Sequence, residues 1–97
     1  MAEARTAARA QLHSQGWCVV PDVIDAARVA EARARLDAAA AENSRQGLPV
    51  YMPELDPNAH NIRVFFLLER DAVFRDLIRH PVALDMVTAL LGDDFLI

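Results

Sequence analysis

Ten arginines, fourteen acids, three histidines and one cysteine are the groups through which this chain could do chemistry. Arg63 is the most informative of them. It stands in the apolar run Ile62-Arg63-Val64-Phe65-Phe66-Leu67-Leu68, where alternation puts it on one strand face with Phe65 and Leu67. An unpaired buried charge is costly. Arg63 therefore needs a carboxylate partner, a path to solvent, or a cavity in which it meets an acidic ligand. Asn61 and His60 precede it and extend the same polar patch, as a pocket mouth or as ordinary loop polarity. Tyr51 and Met52 lie upstream, as a lid over a substrate or as a plug holding their loop in the core.

The other reactive groups have plainer readings. Cys18 neighbours Trp17 in a short apolar segment with no base indicated nearby, so it reads as a small buried hydrophobe. Trp17 reads as core. His80 precedes Pro81 and reads as a helix-start residue rather than a metal ligand. Asp93 and Asp94 follow Gly92 and read as turn residues. A lone cysteine excludes an internal disulfide and a cysteine-based zinc cluster, and it fits a reducing compartment.

The elements that must position these groups follow from pattern. Residues 3–15 are alanine-rich, with Ala4, Ala8 and Leu12 on one side, and predict a helix stopped by Gly16. Trp17-Cys18-Val19-Val20 predicts a short strand closed by Pro21. Asp25 is a suitable cap for a longer helix to about Ser44, with Val29, Ala32, Leu36 and Ala39 or Ala40 as its stripe. Glu31–Arg35 and Arg33–Asp37 have i, i+4 spacing on the solvated face. Three prolines (Pro49, Pro53, Pro57) exclude a helix over residues 45–61, which read as a long loop of the kind that often carries function. The run 62–68 predicts a strand covered on both sides. Asp71 caps a short helix with Phe74, Leu77 and Ile78 inward. A last helix starts at Pro81, carries Val82, Met86 and Leu90 with Val87 and Leu91 beside them, and stops at Gly92. Phe95-Leu96-Ile97 then reads as the first residues of a further strand.

Composition narrows the class. The chain has 97 residues, 54 % of them hydrophobic and 25 % charged, enough for one globular domain and too few for two. A net charge of −4 argues against a nucleic-acid footprint. The absence of lysine beside eighteen alanines reads as compositional bias. No signal peptide or membrane-length apolar run is visible, so a cytoplasmic location without membrane contact is expected. A chain closing on three hydrophobes is expected to be the front piece of something longer.

The order of these pieces resembles a known family. Gly16-Trp17-Cys18-Val19-Val20-Pro21-Asp22-Val23-Ile24-Asp25 follows the first helix. Later, Asp71-Ala72-Val73-Phe74-Arg75-Asp76-Leu77-Ile78-Arg79-His80-Pro81 leads into a helix ending Leu90-Leu91-Gly92-Asp93-Asp94-Phe95. Together they resemble the N-terminal part of the phytanoyl-CoA dioxygenase-like family of iron(II)/2-oxoglutarate oxygenases, over nearly the whole chain. The resemblance implies a double-stranded β-helix (jelly-roll) enzyme with iron on a His-x-Asp pair plus a distant His, and with Fe(II) and 2-oxoglutarate as cofactors of the full-length protein.

None of His13, His60 and His80 is followed two residues later by Asp or Glu. No catalytic residue and no metal ligand is therefore assigned, and neither cofactor is expected to bind this chain alone. In similar enzymes the strand corresponding to 62–68 borders the pocket. The resemblance thus makes Arg63, Asn61, His60, Tyr51 and Met52 candidates for a substrate-pocket rim.

The expected fold class is α+β, a helical N-terminal layer with a few short strands. It would be an incomplete part of a jelly roll, a single partial domain over 1–97. The expected function is that of an N-terminal piece of a dioxygenase that hydroxylates a small organic substrate, inactive by itself. Its partners would be the remainder of the jelly-roll domain, or a partner strand at Phe95–Ile97. The alternative is a standalone α+β interaction module or a degenerate non-catalytic homologue. A small helical DNA-binding protein is disfavoured by the acidic charge and the lack of a basic helical stripe.

Overall fold

Hydrophobic period and caps, rather than strand pairing, organise this protein. In the computed structural model, which describes residues 2–96, five helices follow one another: α1 (Ala2–Gln15), α2 (Ala26–Arg45), α3 (Leu67–Arg70), α4 (Ala72–Ile78) and α5 (Pro81–Leu91). The described residues are 59 % helical and contain no strand.

That overturns the α+β expectation and, with it, the partial jelly roll. Residues 17–20 and 62–66 are not helical, as their β-branched and aromatic composition favours, but a strand is defined by a ladder with a neighbour. Over 62–66 the Arg63 N–H donates to the Val50 carbonyl (2.6 Å) and the Phe65 N–H to the Asn43 side chain (2.6 Å), which make no ladder. Leu67 and Leu68, expected to complete that strand, instead open α3. Phe66, held in the left-handed region at φ +62°, turns the chain into it. At the predicted closing strand, Phe95 and Leu96 carry no strand, and Ile97 lies outside the described residues.

The chain divides into two compact units. One comprises the residues up to Asp25 and those from Ile78 onward. There α1 packs on α5. Ala8, Val82 and Met86 are buried, and the Arg9 guanidinium donates to the Asp85 carboxylate across the helix pair. Ala8 has the small side chain that lets two helices approach closely. The start of α5 matches its sequence signals. Pro81 occupies the first turn, and His80 Nδ1 accepts the Val82 N–H at 3.2 Å. At the other end the Gly92 N–H donates to the Thr88 carbonyl. Its φ of +83° with ψ of −172° lies in a region open essentially to glycine alone.

The other unit is Ala26–Leu77. Ala39, Val73 and Phe74 are its buried apolar side chains, and Asn43 is its buried polar one. Arg28 and Arg35, two turns apart on α2, reach Asp76 and Asp71 of the α4 region at 2.7 and 3.5 Å. The residue order of these pairs runs α2 and α4 antiparallel. Arg28 also holds Glu31, so Glu31 and Arg35 are each engaged outside the i, i+4 pair that spacing suggested. Asp71 accepts the Val73 N–H at 3.3 Å and caps α4 as its position predicts. The end of α2 is a Schellman motif. The Leu48 N–H donates to the Asn43 carbonyl (3.0 Å) and the Gly47 N–H to the Ser44 carbonyl (3.1 Å), with Gly47 at φ +76°.

Candidate functional site

The proline-rich loop is built by polar side chains that bond to their own neighbourhood. Asp56-Pro57-Asn58 is a turn sequence with a mechanism, because short Asx side chains cap backbone N–H groups two residues on. Asp56 Oδ1 accepts the Asn58 N–H at 3.0 Å, and Asn58 Oδ1 accepts the His60 N–H at 3.0 Å. The Asn58 carbonyl accepts the Asn61 N–H at 3.0 Å. The Asn61 side-chain amide then returns to Asp56 Oδ2 at 2.8 Å. The bond from Arg63 to Val50 closes the base of the loop, and the Tyr51 hydroxyl donates to the Pro57 carbonyl at 3.0 Å.

These bonds shape a hollow of about 210 Å³ lined by Met52, Asp56, Asn61, Ile62 and Arg63. Three of the five residues expected on a pocket rim, Met52, Asn61 and Arg63, therefore stand together. Tyr51 and His60 belong to the same loop but do not line the hollow. Arg63 is exposed, so the buried environment that its apolar run suggested does not arise. Asp56 and Ile62 are the members not expected on the rim, although the Asp-Pro-Asn turn signal was there to find Asp56.

The electrostatics of the hollow are set by Asp56. The Asn61 amide, then the Asn58 N–H, and to a smaller degree the Arg63 charge hold its carboxyl below the ordinary aspartate value. At neutral pH the hollow thus presents a fixed carboxylate beside a guanidinium. It can orient a polar ligand, but Asp56 has no proton to donate there. Among the described residues, no three His, Cys, Asp or Glu side chains come together as metal ligands. His13 lies in the last turn of α1, His60 in the loop, and His80 is occupied as a helix cap.

A second concavity of about 480 Å³ lies in the unit that holds α1 and α5. Its walls are almost wholly apolar: Leu12 from α1, Trp17, Cys18 and Val20 from the following segment, and Met86, Leu90 and Leu91 from α5. Trp17, expected in the core, is 57 % exposed at this groove, and Cys18 is half-buried beside it. No helix among the described residues is long and apolar enough to cross a membrane.

No family model and no solved structure matches the chain. Over 90 residues, 93 % of its length, the chain is 42 % identical to a protein of Aspergillus fumigatus named dioxygenase af480. It spans 29 % of that protein's length. The similarity supports a dioxygenase relationship for essentially the whole chain.

Proposed function

We propose that this chain forms part of a non-haem Fe(II)/2-oxoglutarate-dependent dioxygenase that hydroxylates a small organic substrate, and that it has no turnover by itself. The observation that carries the reading is the match to a named dioxygenase along 93 % of the chain but only 29 % of the relative. The two sequence segments that resemble the phytanoyl-CoA dioxygenase-like family, Gly16 to Asp25 and Asp71 to Phe95, supply the cofactor type.

The groups of this chain do not fit the iron. Its three histidines sit on separate elements and no triad of ligands converges among the described residues, so no catalytic step is assigned to them. In this reading the metal ligands and the 2-oxoglutarate site come from residues beyond the matched third. The role of this chain is to brace that part and to lend a rim. Arg63 and Asn61, in the hollow with Met52, would face a polar or acidic group, while Tyr51 and His60 hold the loop's outer edge.

The test is a chimera in which this chain replaces the matched 90 residues of the Aspergillus protein. Succinate release from 2-oxoglutarate should depend on added Fe(II) in the chimera, and be indistinguishable from the metal-free control for the 97-residue chain alone. A parent enzyme that consumes no 2-oxoglutarate, or turnover by the short chain, would overturn the reading.

A further inference from the structure

Large hydrophobic side chains are distributed the wrong way round for a self-sufficient core. Among the described residues the buried apolar side chains are Ala8, Ala39, Val73, Phe74, Val82 and Met86, whereas Trp17, Leu90 and Leu91 stand 57 %, 45 % and 65 % exposed. Those three do not scatter. They converge on the groove of about 480 Å³ beside α5, which no charged residue lines. Contiguous apolar surface of this kind marks a contact site. Val82 and Met86, buried on α5, also line the groove, so the apolar stripe of that helix runs on from buried to exposed side chains.

We infer that this groove is the seat of the remaining part of the dioxygenase, and that an apolar face from beyond the matched residues fills it. The inference rests on the functional reading above. Its occupant is argued from the lengths: the relative is more than three times as long as the stretch it shares with this chain. It therefore carries ample further chain to cover a groove that the shared stretch leaves open. Trp17 is the anchor, since a large aromatic side chain that becomes desolvated contributes most to such a contact. Leu90 and Leu91 line the same groove from α5.

The substitutions L90E and L91E test this in two settings. In the 97-residue chain both positions face water, and the double variant should shift Tm by less than about 4 °C, the range of ordinary surface changes. In the chimera with the Aspergillus protein the same pair should be buried, and Tm should fall by about 10 °C or more, as expected for two charges placed in a core. V19E is the control: Val19 is exposed but does not line the groove, so it should be silent in both.

A second readout needs no stable variant. Trp17 is the sole tryptophan of this chain. Its quenching by acrylamide should be efficient in the short chain and several-fold weaker in the chimera, compared after subtracting a W17F chimera. An active chimera in which L90E/L91E is as silent as V19E, or in which Trp17 remains equally quenched, overturns the inference and leaves the functional reading standing. A chimera that folds with a protected Trp17 but releases no succinate does the reverse. A concentration-dependent dimer of the short chain, abolished by L91E, would assign the groove to a second copy and also overturn the inference.

Discussion

Asn43 is the side chain whose loss should cost this protein most per atom removed. It is only 3 % exposed, and its Oδ1 accepts the Phe65 N–H at 2.6 Å. Its own carbonyl receives the Leu48 N–H in the turn that ends α2. One residue thus finishes the long helix and ties the returning segment 62–66 onto it. In N43A the part-buried Phe65 amide is left without its partner. A stranded buried donor costs about 1–3 kcal/mol. Domains of this size hold about 5–15 kcal/mol in all, and the short list of buried apolar side chains puts this one near the lower bound. The variant should therefore lose a large share of its stability.

Urea denaturation measures that loss, and amide exchange localises it. Protection of the Phe65 N–H should drop by about 5- to 150-fold, the equivalent of the same 1–3 kcal/mol. N43D, which keeps an acceptor oxygen, should preserve more of that protection although it pays to bury a charge. A loss under about 0.5 kcal/mol in N43A, or a Phe65 amide that exchanges equally fast in both proteins, would refute the assignment of Asn43 as the tie.

Three further outcomes are expected. Asp56 should titrate below the aspartate norm of about 3.9. Because its folded value is the lower one, its contribution is complete above that norm and is lost as pH falls through the folded value. N61A, which removes the largest cause, should move the midpoint of the Asp56 carboxyl up toward the norm in an NMR titration; an unmoved midpoint would contradict the hydrogen-bond account. H80A should cost about 1 kcal/mol in chemical denaturation through loss of the α5 cap, and H80N should recover most of it. G47A should cost about 1–2 kcal/mol, all of it from backbone conformation, because a Cβ there meets nothing within 4 Å. G47N should be milder, since asparagine tolerates the left-handed region.

Helices were legible because their signals are local. A cap, a proline at the first turn and a glycine stop act within a few residues of where they stand, and α1, α2, α4 and α5 fall within a residue or two of their predicted limits. The ion pairs were less legible. Glu31–Arg35 has suitable spacing on one helix, but Arg35 instead meets Asp71, a partner no spacing rule can name. The hollow was half legible. The Pro-rich loop and three of its lining residues follow from sequence, whereas Asp56 emerges only once the Asx turns are closed.

The strands failed for a reason that bears on what this chain is for. Val, Ile, Phe and Trp suit a pleated surface that has neighbours on both sides, and their preference is a statement about packing more than about backbone. Residues 17–20 and 62–66 have that composition without the neighbours. They remain unladdered, and several of their side chains, Trp17, Val19 and Ile62 among them, stand exposed. The same absence of partners leaves Leu90 and Leu91 uncovered on α5. These side chains have a composition suited to burial that the described fold does not supply. Under the proposed function, the rest of a dioxygenase like the relative whose length this chain spans to 29 % is the surface those residues await.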